Sequence, residues 1–176
     1  MKHFEKELSS RLCYSGKIFN VTKSEVELEN GQHAAREVVH HNGAVAIAAL
    51  DEQGRLLMVR QYRFAVGAEL LEIPAGKLEP GESPLQCAFR ELEEETGYST
   101  KTMSPLTVAF ASPGCFTEKI HIFLALKLAP SHQNLDDDEF LTVEHVPIDE
   151  AVRMVMDGEI TDAKTQIAVL MLDRMK

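Results

Sequence analysis

The chain has 176 residues, 44% of them hydrophobic and 26% charged, which is enough material for one globular domain with a sizeable core. Its net charge of −10 argues against binding to nucleic acid or to an anionic membrane, because both need a basic face. The sequence shows neither a secretory signal nor an apolar run of membrane-spanning length. Three cysteines without a zinc-binding spacing favour a reduced, cytoplasmic protein over a disulfide-stabilised one: Cys13, Cys87 and Cys115.

The N-terminal segment is predicted to form a β-hairpin. Apolar residues alternate within residues 18–28, and the Asn30-Gly31 pair that follows is a turn signal. A second extended run covers residues 36–41. The hairpin lies well before the other motifs of the chain and is interpreted as an addition to the core fold.

The middle of the chain contains three further predicted strands. Residues 44–50 and 55–61 are continuous apolar runs separated by a polar turn, which predicts a buried hairpin. Residues 70–73 form a short strand that ends at Pro74 and leads into the loop before a helix.

The helix that follows has well-defined ends. Ser83 is a suitable N-cap, Pro84 suits the first helical position, and Gln86 completes a capping box. Gly97 supplies a left-handed stop. Apolar residues recur at the i, i+3, i+4, i+7 spacing of one buried stripe: Leu85, Ala88, Phe89 and Leu92.

Three glutamates, Glu91, Glu94 and Glu95, fall on one flank of this stripe, whereas Glu93 points elsewhere. The arrangement is unfavourable alone, because like charges four residues apart cost about 0.2–0.5 kcal/mol and carboxylates near a helix C-terminus oppose the helix dipole. One interpretation is a solvated acidic face on which Arg90 pairs with Glu94. The other is a Mg²⁺ or Mn²⁺ site, because hard oxygen ligands beside a glycine-containing loop suit a cation that binds phosphate.

The C-terminal half continues with strands and two helices. The predicted elements are strands at 106–111, 120–128 and 140–146, an acidic loop at 136–139, a helix at 149–156, and a last helix capped by Thr161 or Asp162 with Ile167, Leu170, Met171 and Met175 on its apolar side. Helices separated by runs of mostly antiparallel strands favour a mixed α/β sandwich over a doubly wound parallel sheet.

The stretch from Gly76 to Tyr98, GKLEPGESPLQCAFRELEEETGY, resembles the Nudix box, G-x5-E-x7-R-E-U-x-E-E-x-G-U, in which U is a bulky apolar residue. The matching residues are Gly76, Glu82, Arg90, Glu91, Leu92, Glu94, Glu95 and Gly97. Tyr98 departs from the aliphatic residue of the last position. The resemblance implies an α/β (α+β) fold, a mixed-sheet α/β/α sandwich, with a Nudix hydrolase domain at 43–176 and an N-terminal hairpin extension at 1–42 that takes part in dimerisation.

The resemblance also implies a metal site. Glu91 and Glu95 are the implied ligands, together with the backbone carbonyl of Ala75, and the cation is Mg²⁺ or Mn²⁺ in its place. Glu94 is implied nearby, as a catalytic residue or an additional ligand. Glu82 is implied nearby too, as an additional ligand or as a carboxylate that holds the loop or pairs with Arg90.

A late acidic loop completes the site in relatives of this kind, and residues 136–139 are the acidic loop of that sort here. Glu139 matches the metal-binding glutamate and is implied as a ligand and as a catalytic residue. Asp137 occupies the position of the base, where relatives carry a glutamate, so its side chain is one methylene shorter. Arg90 is expected to orient the glutamates.

Three further stretches resemble the ADP-ribose pyrophosphatase group of this family: residues 61–63, 71–76 and 112–114. Pro113 lies 16 residues after Gly97, at the position where that group carries a proline. The resemblance implies five substrate-binding residues, with two at the adenosine end, one at the diphosphate and two in the loop after residue 111: Arg36 and Glu37, Arg63, and Pro113 and Glu118.

Together these resemblances imply a Mg²⁺-dependent hydrolase that cleaves ADP-ribose to AMP and ribose 5-phosphate. The implied assembly is a cytoplasmic homodimer in which the N-terminal segment reaches the partner's adenosine site. Two alternatives stay open: a pyrophosphatase for another nucleoside diphosphate sugar such as GDP-mannose, and a Nudix-derived sensor that binds ADP-ribose without cleaving it. The full set of box glutamates argues against the sensor.

Overall fold

The computed structural model describes residues 3–175, which divide into two compact units. The first contains the described part of Met1–Gly43 together with Phe110–Lys119, and the second contains Ala44–Ala109 and the described part of Ile120–Lys176. The boundary predicted from the sequence, between residues 42 and 43, remains a prediction. In the described range, no helix has both the length and the apolar character needed to cross a membrane.

The first unit is built on a three-stranded antiparallel sheet, with strands β1 (Lys6–Ser15), β2 (Phe19–Glu27) and β3 (His33–His41). The predicted hairpin is confirmed as β2 and β3, in which Glu27 pairs with His33 across a turn where Gly31 has a φ of 78°. Strand β1 was missed by the sequence prediction. Its pairing with β2 shifts register at two points, so its residues do not alternate in the way a regular strand would.

A mixed sheet forms the centre of the second unit. Its strands are β4 (Ala44–Leu50), β5 (Arg55–Arg63), β6 (Ala68–Glu72), β7 (Ala75–Lys77), β9 (Thr102–Phe110), β10 (Lys119–Leu126) and β12 (Leu141–Pro147), and a separate pair consists of β8 (Tyr98–Ser99) and β11 (Ala129–Pro130). The main order is β12-β5-β4-β10-β9, with β6 beside β5 and β7 beside β4. Strand β10 runs parallel to β4, whereas β5 and β7 run antiparallel to it.

Helices cover both faces of this sheet: α1 (Pro84–Thr96), α2 (Ile148–Met156) and α3 (Ala163–Met175). Alternate residues of β4 enter two separate cores, as expected for a strand whose successive side chains point to opposite faces. Val45, Ile47 and Ala49 pack with Cys87, Ala88 and Leu92 of α1. Ala46 and Ala48 pack with Ala151 of α2 and with Ala168, Val169 and Leu172 of α3. The predicted α/β/α sandwich is therefore confirmed.

Two predicted helix faces were only partly correct, although Ala88 and Leu92 of α1 are buried as predicted. Leu85 of α1 is 42% exposed, and the buried face of that helix consists of Cys87, Ala88, Glu91, Leu92, Glu95 and Thr96. In α3, Leu170 and Met175 are exposed, whereas Thr165, Ala168, Val169 and Leu172 are buried. In α1 the apolar spacing misleads because two glutamates occupy part of the buried face.

Candidate active site

The ends of α1 are fixed by the caps that the sequence predicts. The Ser83 hydroxyl accepts a hydrogen bond from the Gln86 N–H at 3.3 Å, and the Gln86 side chain accepts one from the Ser83 N–H at 3.1 Å. Gly97 ends the helix with a φ of 70°. These caps set which residues occupy the last two turns, where Glu91 is only 9% exposed and Glu95 only 2%.

Arg90 is the cation that balances several of these carboxylates. Its Nε and Nη2 each lie 3.0 Å from one carboxylate oxygen of Glu82. Its Nη1 lies 2.8 Å from Glu91 Oε1 and 2.9 Å from Glu94 Oε2. The Arg90 hydrogen bond is the main cause that lowers the pKa of Glu82 to about 2. The structure contains the Arg90–Glu94 pair that the sequence offered as one interpretation of the acidic helix, and Arg90 also pairs with Glu82, so this arginine links the loop to the helix.

Glu95 is the most deeply buried of the helix glutamates. Its Oε2 accepts a hydrogen bond from the Ala75 N–H at 2.9 Å, where the chain leaves β6 and enters β7. Burial, reinforced by the charges of Glu91 and Glu139, raises its pKa to about 8. Burial likewise raises the pKa of Glu91, against the effect of Arg90. A nearby cation would stabilise the charged form of a carboxylate whose pKa is raised in this way.

We expect the high pKa of Glu95 to make the metal-free protein less stable as pH rises. Folding raises this pKa from 4.5 to about 8, so the folded state binds the proton more tightly than the unfolded chain. The contribution of this proton to the stability of the folded state is fully present below pH 4.5 and is lost as the pH rises to about 8. Measured in EDTA, the wild-type melting temperature should therefore fall relative to that of Glu95→Gln between about pH 5 and pH 8. If the melting temperatures of the two proteins changed in parallel with pH, the raised pKa would not belong to Glu95.

Gly76 leaves the space that the Glu91 carboxylate occupies. A Cβ atom at position 76 would lie 1.8 Å from Glu91 Oε1 and 2.3 Å from Oε2, far inside contact distance. Glycine is required at position 76 because the Glu91 carboxylate of α1 occupies the space beside the β7 backbone where a side chain would lie. The glycine therefore allows Glu91 to lie against the strand that carries Ala75.

The late acidic loop is attached to the C-terminal end of α1. The last carbonyl groups of a helix have no hydrogen-bond partner within the helix. In α1 they accept hydrogen bonds from the segment before the loop. Gln133 Nε2 donates to the Glu95 carbonyl at 2.7 Å, and the Asn134 N–H donates to the Glu94 carbonyl at 3.0 Å. Glu139 is half-buried, and its charge contributes to the raised pKa values of Glu91 and Glu95.

The two acids predicted for this loop differ in environment. Glu139 Oε2 accepts a hydrogen bond from the Asp136 N–H at 3.3 Å, and the Glu139 N–H donates to the Asp136 carbonyl at 2.9 Å. Asp137 is exposed. The structure thus brings Glu139 within electrostatic range of the helix glutamates and leaves the side chain of Asp137 in solvent.

The donor set fits a hard divalent cation. It consists of the carboxylates of Glu91, Glu95 and Glu139 and the backbone at Ala75, all of them oxygen donors of the type that Mg²⁺ binds. Burial raises the pKa values of Glu91 and Glu95, and the charge of Glu139 adds to both shifts, which indicates excess negative charge at this site. Within residues 3–175, however, no three acidic, histidine or cysteine side chains already stand at metal-binding positions. Glu91 is hydrogen-bonded to Arg90, and Glu95 to the Ala75 N–H.

Arg63, predicted to bind the diphosphate, forms a bidentate ion pair with Glu72. Its Nε lies 2.7 Å from Glu72 Oε1, and its Nη2 lies 2.8 Å from Oε2. Glu72 is fully buried and also accepts a hydrogen bond from Lys164. Sequence reasoning missed Glu72 and Lys164, because they are 92 residues apart and no local spacing relates them.

The other predicted substrate residues all lie in the first unit. Strand β3 carries Arg36, whose Nε is 2.9 Å from Glu5 Oε2, and Glu37, which lies 3.8 Å from the Lys23 ammonium. The segment that contains Pro113 is joined to β3 by two hydrogen bonds between Val39 and the backbone of residues 115 and 117. Glu118 lies 3.6 Å from the Nδ1 atom of His41, at the end of β3. The structure thus places Arg36, Glu37, Pro113 and Glu118 within one unit.

Comparison with known proteins identifies the family. The NUDIX domain model matches residues 39–167, a range that contains the acidic helix, the late loop and Arg63. The chain belongs to the Nudix family. Its Nudix box is thus the stretch whose glutamates, glycine and arginine form the cluster described above.

Two relatives of this Nudix protein are equally similar to it. One is an ADP-ribose pyrophosphatase of Bacillus subtilis (strain 168), and the other is a methanol dehydrogenase activator of Bacillus methanolicus. Each is 42% identical over 167 residues, which cover 94% of this chain and 90% of the relative. A crystal structure of an ADP compounds hydrolase superposes with a TM-score of 0.87 at 24% identity and covers 97% of this chain and 93% of its own. The latter similarity supports the Nudix fold.

Proposed function

We propose that this protein hydrolyses the diphosphate bond of ADP-ribose to AMP and ribose 5-phosphate, with Mg²⁺ as cofactor and Mn²⁺ able to replace it. The observation that carries the proposal is the 42% identity to an ADP-ribose pyrophosphatase over 94% of the chain. The buried acidic cluster beside Gly76 supports a reaction at a phosphate group, because such a cluster attracts a divalent cation.

In this proposal Glu91, Glu95, Glu139 and the Ala75 carbonyl hold the cation. A divalent cation in this position would neutralise the charge of the diphosphate and make a water molecule more acidic. Arg90 keeps Glu91 oriented on one side, and the Ala75 N–H keeps Glu95 oriented on the other. These two hydrogen bonds fix the carboxylates before substrate arrives.

Proton removal from water is assigned to the acids around this cluster: Glu94, Glu139 or Asp137. Glu94 is half-buried and paired with Arg90, whereas Glu139 is near both Glu91 and Glu95. For the substrate, the proposal assigns Arg63 to the diphosphate and assigns Arg36 and Glu37 to the adenosine end in the partner's site of a homodimer. Pro113 and Glu118 are assigned to substrate binding.

The direct test is hydrolysis of a panel of nucleoside diphosphate sugars with Mg²⁺. ADP-ribose should be the best substrate, and AMP and ribose 5-phosphate should be its products. GDP-mannose in the panel tests the alternative substrate class, since recognition of the base lies outside the Nudix box. Tight binding of ADP-ribose without release of AMP would instead identify a sensor and overturn the proposed function.

Separate substitutions distinguish metal binding from proton removal in the late loop. Glu139→Gln should lower kcat severely, by roughly 100-fold or more, and high Mg²⁺ or Mn²⁺ should recover part of the loss if Glu139 is a ligand. Asp137→Asn should have a milder effect, because Asp137 is exposed and a loop acid next to it is able to replace it. The measurements are kcat against metal concentration and against pH, since loss of a base also removes the acidic limb of the pH profile. Small, equal effects of both substitutions would exclude a role for the loop.

A homodimer is proposed as the working assembly of the enzyme, in the cytoplasm, with residues 1–42 as the dimerisation element. The support is a group of large apolar side chains exposed on and near the N-terminal sheet: Phe4, Leu8, Leu12, Tyr14, Ile18 and Phe19. Equimolar mixing of inactive Arg36→Ala and Glu95→Gln chains should restore part of the activity, because one mixed site would contain both native residues. Light scattering that finds a monomer at micromolar concentration would exclude this arrangement.

A further inference from the structure

Glu72 is a buried carboxylate shared by two cations. It lies at the end of β6, is 1% exposed, and binds the Arg63 guanidinium through both of its oxygens. The Lys164 ammonium, in the first turn of α3, donates to Glu72 Oε2 and lies 2.9 Å from Asp162 Oδ1. Two acids and two bases therefore form one balanced group. Burial alone would raise the pKa of Glu72, but the hydrogen bonds and charges of Arg63 and Lys164 hold it below its usual range.

The turn that carries Lys164 is itself fixed to the strand that carries Glu72. Asp162 Oδ2 accepts hydrogen bonds from the Thr165 N–H at 3.0 Å and from the Thr165 hydroxyl at 2.6 Å. The Thr165 hydroxyl oxygen in turn accepts a hydrogen bond from the Ile73 N–H at 2.9 Å. The start of α3 is thus attached to two consecutive residues, Glu72 and Ile73, and the position of the Lys164 ammonium follows from these bonds.

Glu72 occupies only one edge of Arg63. The Nε and Nη2 atoms face the carboxylate, whereas Nη1 makes no hydrogen bond to any other part of the chain between residues 3 and 175. The side chain of Arg63 is 38% exposed, and its charge acts on Glu95 of the acidic cluster. A planar guanidinium that is held along one edge presents its remaining donors in a fixed direction, as a phosphate oxygen requires.

We infer that Glu72 and Lys164 are positioning residues for the diphosphate of the ligand: Glu72 fixes the orientation of Arg63, and Lys164 fixes Glu72. The inference rests on the proposed function, in which Arg63 binds the diphosphate. Lys164 acts only through Glu72 and Arg63. Without Lys164, Glu72 keeps a single cation and loses its attachment to α3, so the edge that Arg63 offers to phosphate is no longer fixed.

A double-mutant cycle on the affinity for ADP tests this chain of contacts. ADP is the probe because it contains the diphosphate and its binding requires no turnover. With Mg²⁺ present, calorimetry should find that Lys164→Met raises Kd about 10-fold and Arg63→Ala about 30-fold, with the double variant within about 2-fold of Arg63→Ala alone. Lys164→Arg, which keeps the charge, should stay within about 3-fold of the wild type.

Arg60 provides a matched control on the same strand. Its side chain is also 38% exposed, and its Nε lies 2.6 Å from Glu144 Oε1. Arg60→Ala should leave the Kd for ADP unchanged even where it lowers the melting temperature. If Lys164→Met does not fold, Glu72→Gln replaces it in the same cycle. An equal rise in Kd caused by Lys164→Met with and without Arg63, or no binding of ADP to the wild type, would overturn the inference.

Turnover of ADP-ribose, measured on the same proteins, separates this inference from the proposed function. A coupled cycle for ADP in a protein that releases no AMP from ADP-ribose would refute the proposed function and leave the role of Glu72 and Lys164 supported. Normal turnover combined with an additive cycle would refute the positioning role alone.

Discussion

Glu95→Gln is expected to lower kcat for ADP-ribose by roughly a thousandfold or more while the fold persists. Glutamine removes the charge that the proposed cation needs, but its amide oxygen is still able to accept the hydrogen bond from the Ala75 N–H. Glu91→Gln should act in the same way. Without Mg²⁺ the melting temperatures of both variants should equal or exceed that of the wild type, because each change removes a buried carboxyl group whose raised pKa shows that its charged form is disfavoured.

The matched control is the same substitution at Glu93, on the exposed side of α1. Glu93→Gln should leave kcat within about 2-fold of the wild type, because the side chain interacts with Ser131 outside the acidic cluster. The measurements are steady-state kinetics at saturating Mg²⁺ and thermal unfolding in EDTA. Near wild-type turnover of Glu91→Gln or Glu95→Gln would show that the metal assignment is wrong.

Gly76→Ala is expected to remove most activity through a single added methyl group. The new Cβ would lie 1.8 Å from Glu91 Oε1, so the carboxylate has to leave its place between β7 and Arg90. Because the obstructed atoms are at the end of a flexible side chain, the fold should survive with a loss of about 1–2 kcal/mol in stability, while kcat falls roughly 100-fold or more. Steady-state kinetics and thermal unfolding of the same sample check both parts.

Gly158→Ala is the control that should lose a similar amount of stability without losing activity. Gly158 has a φ of 77° and no atom within 4 Å of an added Cβ, so alanine there is strained by its backbone alone. We expect a loss of about 1 kcal/mol in stability and unchanged kcat. If Gly76→Ala lowered stability to the same extent and left kcat intact, the close approach of Gly76 and Glu91 would have no role in the reaction.

Local chemistry was sufficient to predict most elements of the fold. The bounds of β4 agree with the predicted run at 44–50, because that strand is apolar along its whole length and ends at polar turns. The ends of α1 agree as well, because Ser83, Gln86 and Gly97 satisfy the terminal groups of the helix within a few residues. Asp162 caps α3 for the same reason. Strand β1 escaped prediction because its bulges break the alternation on which such predictions depend.

The fixed spacing of the Nudix box determined, from the sequence by itself, that this chain has one acidic helix after a glycine. Tertiary structure decided the rest: that Glu95 is buried against the Ala75 N–H, that Gly76 makes room for Glu91, and that Lys164 meets Glu72 across 92 residues. The physical reason is how far apart in the sequence the interacting residues lie. Caps and helical ion pairs act within a few residues and are visible in the sequence, whereas burial and the raised pKa values depend on which distant segments pack together.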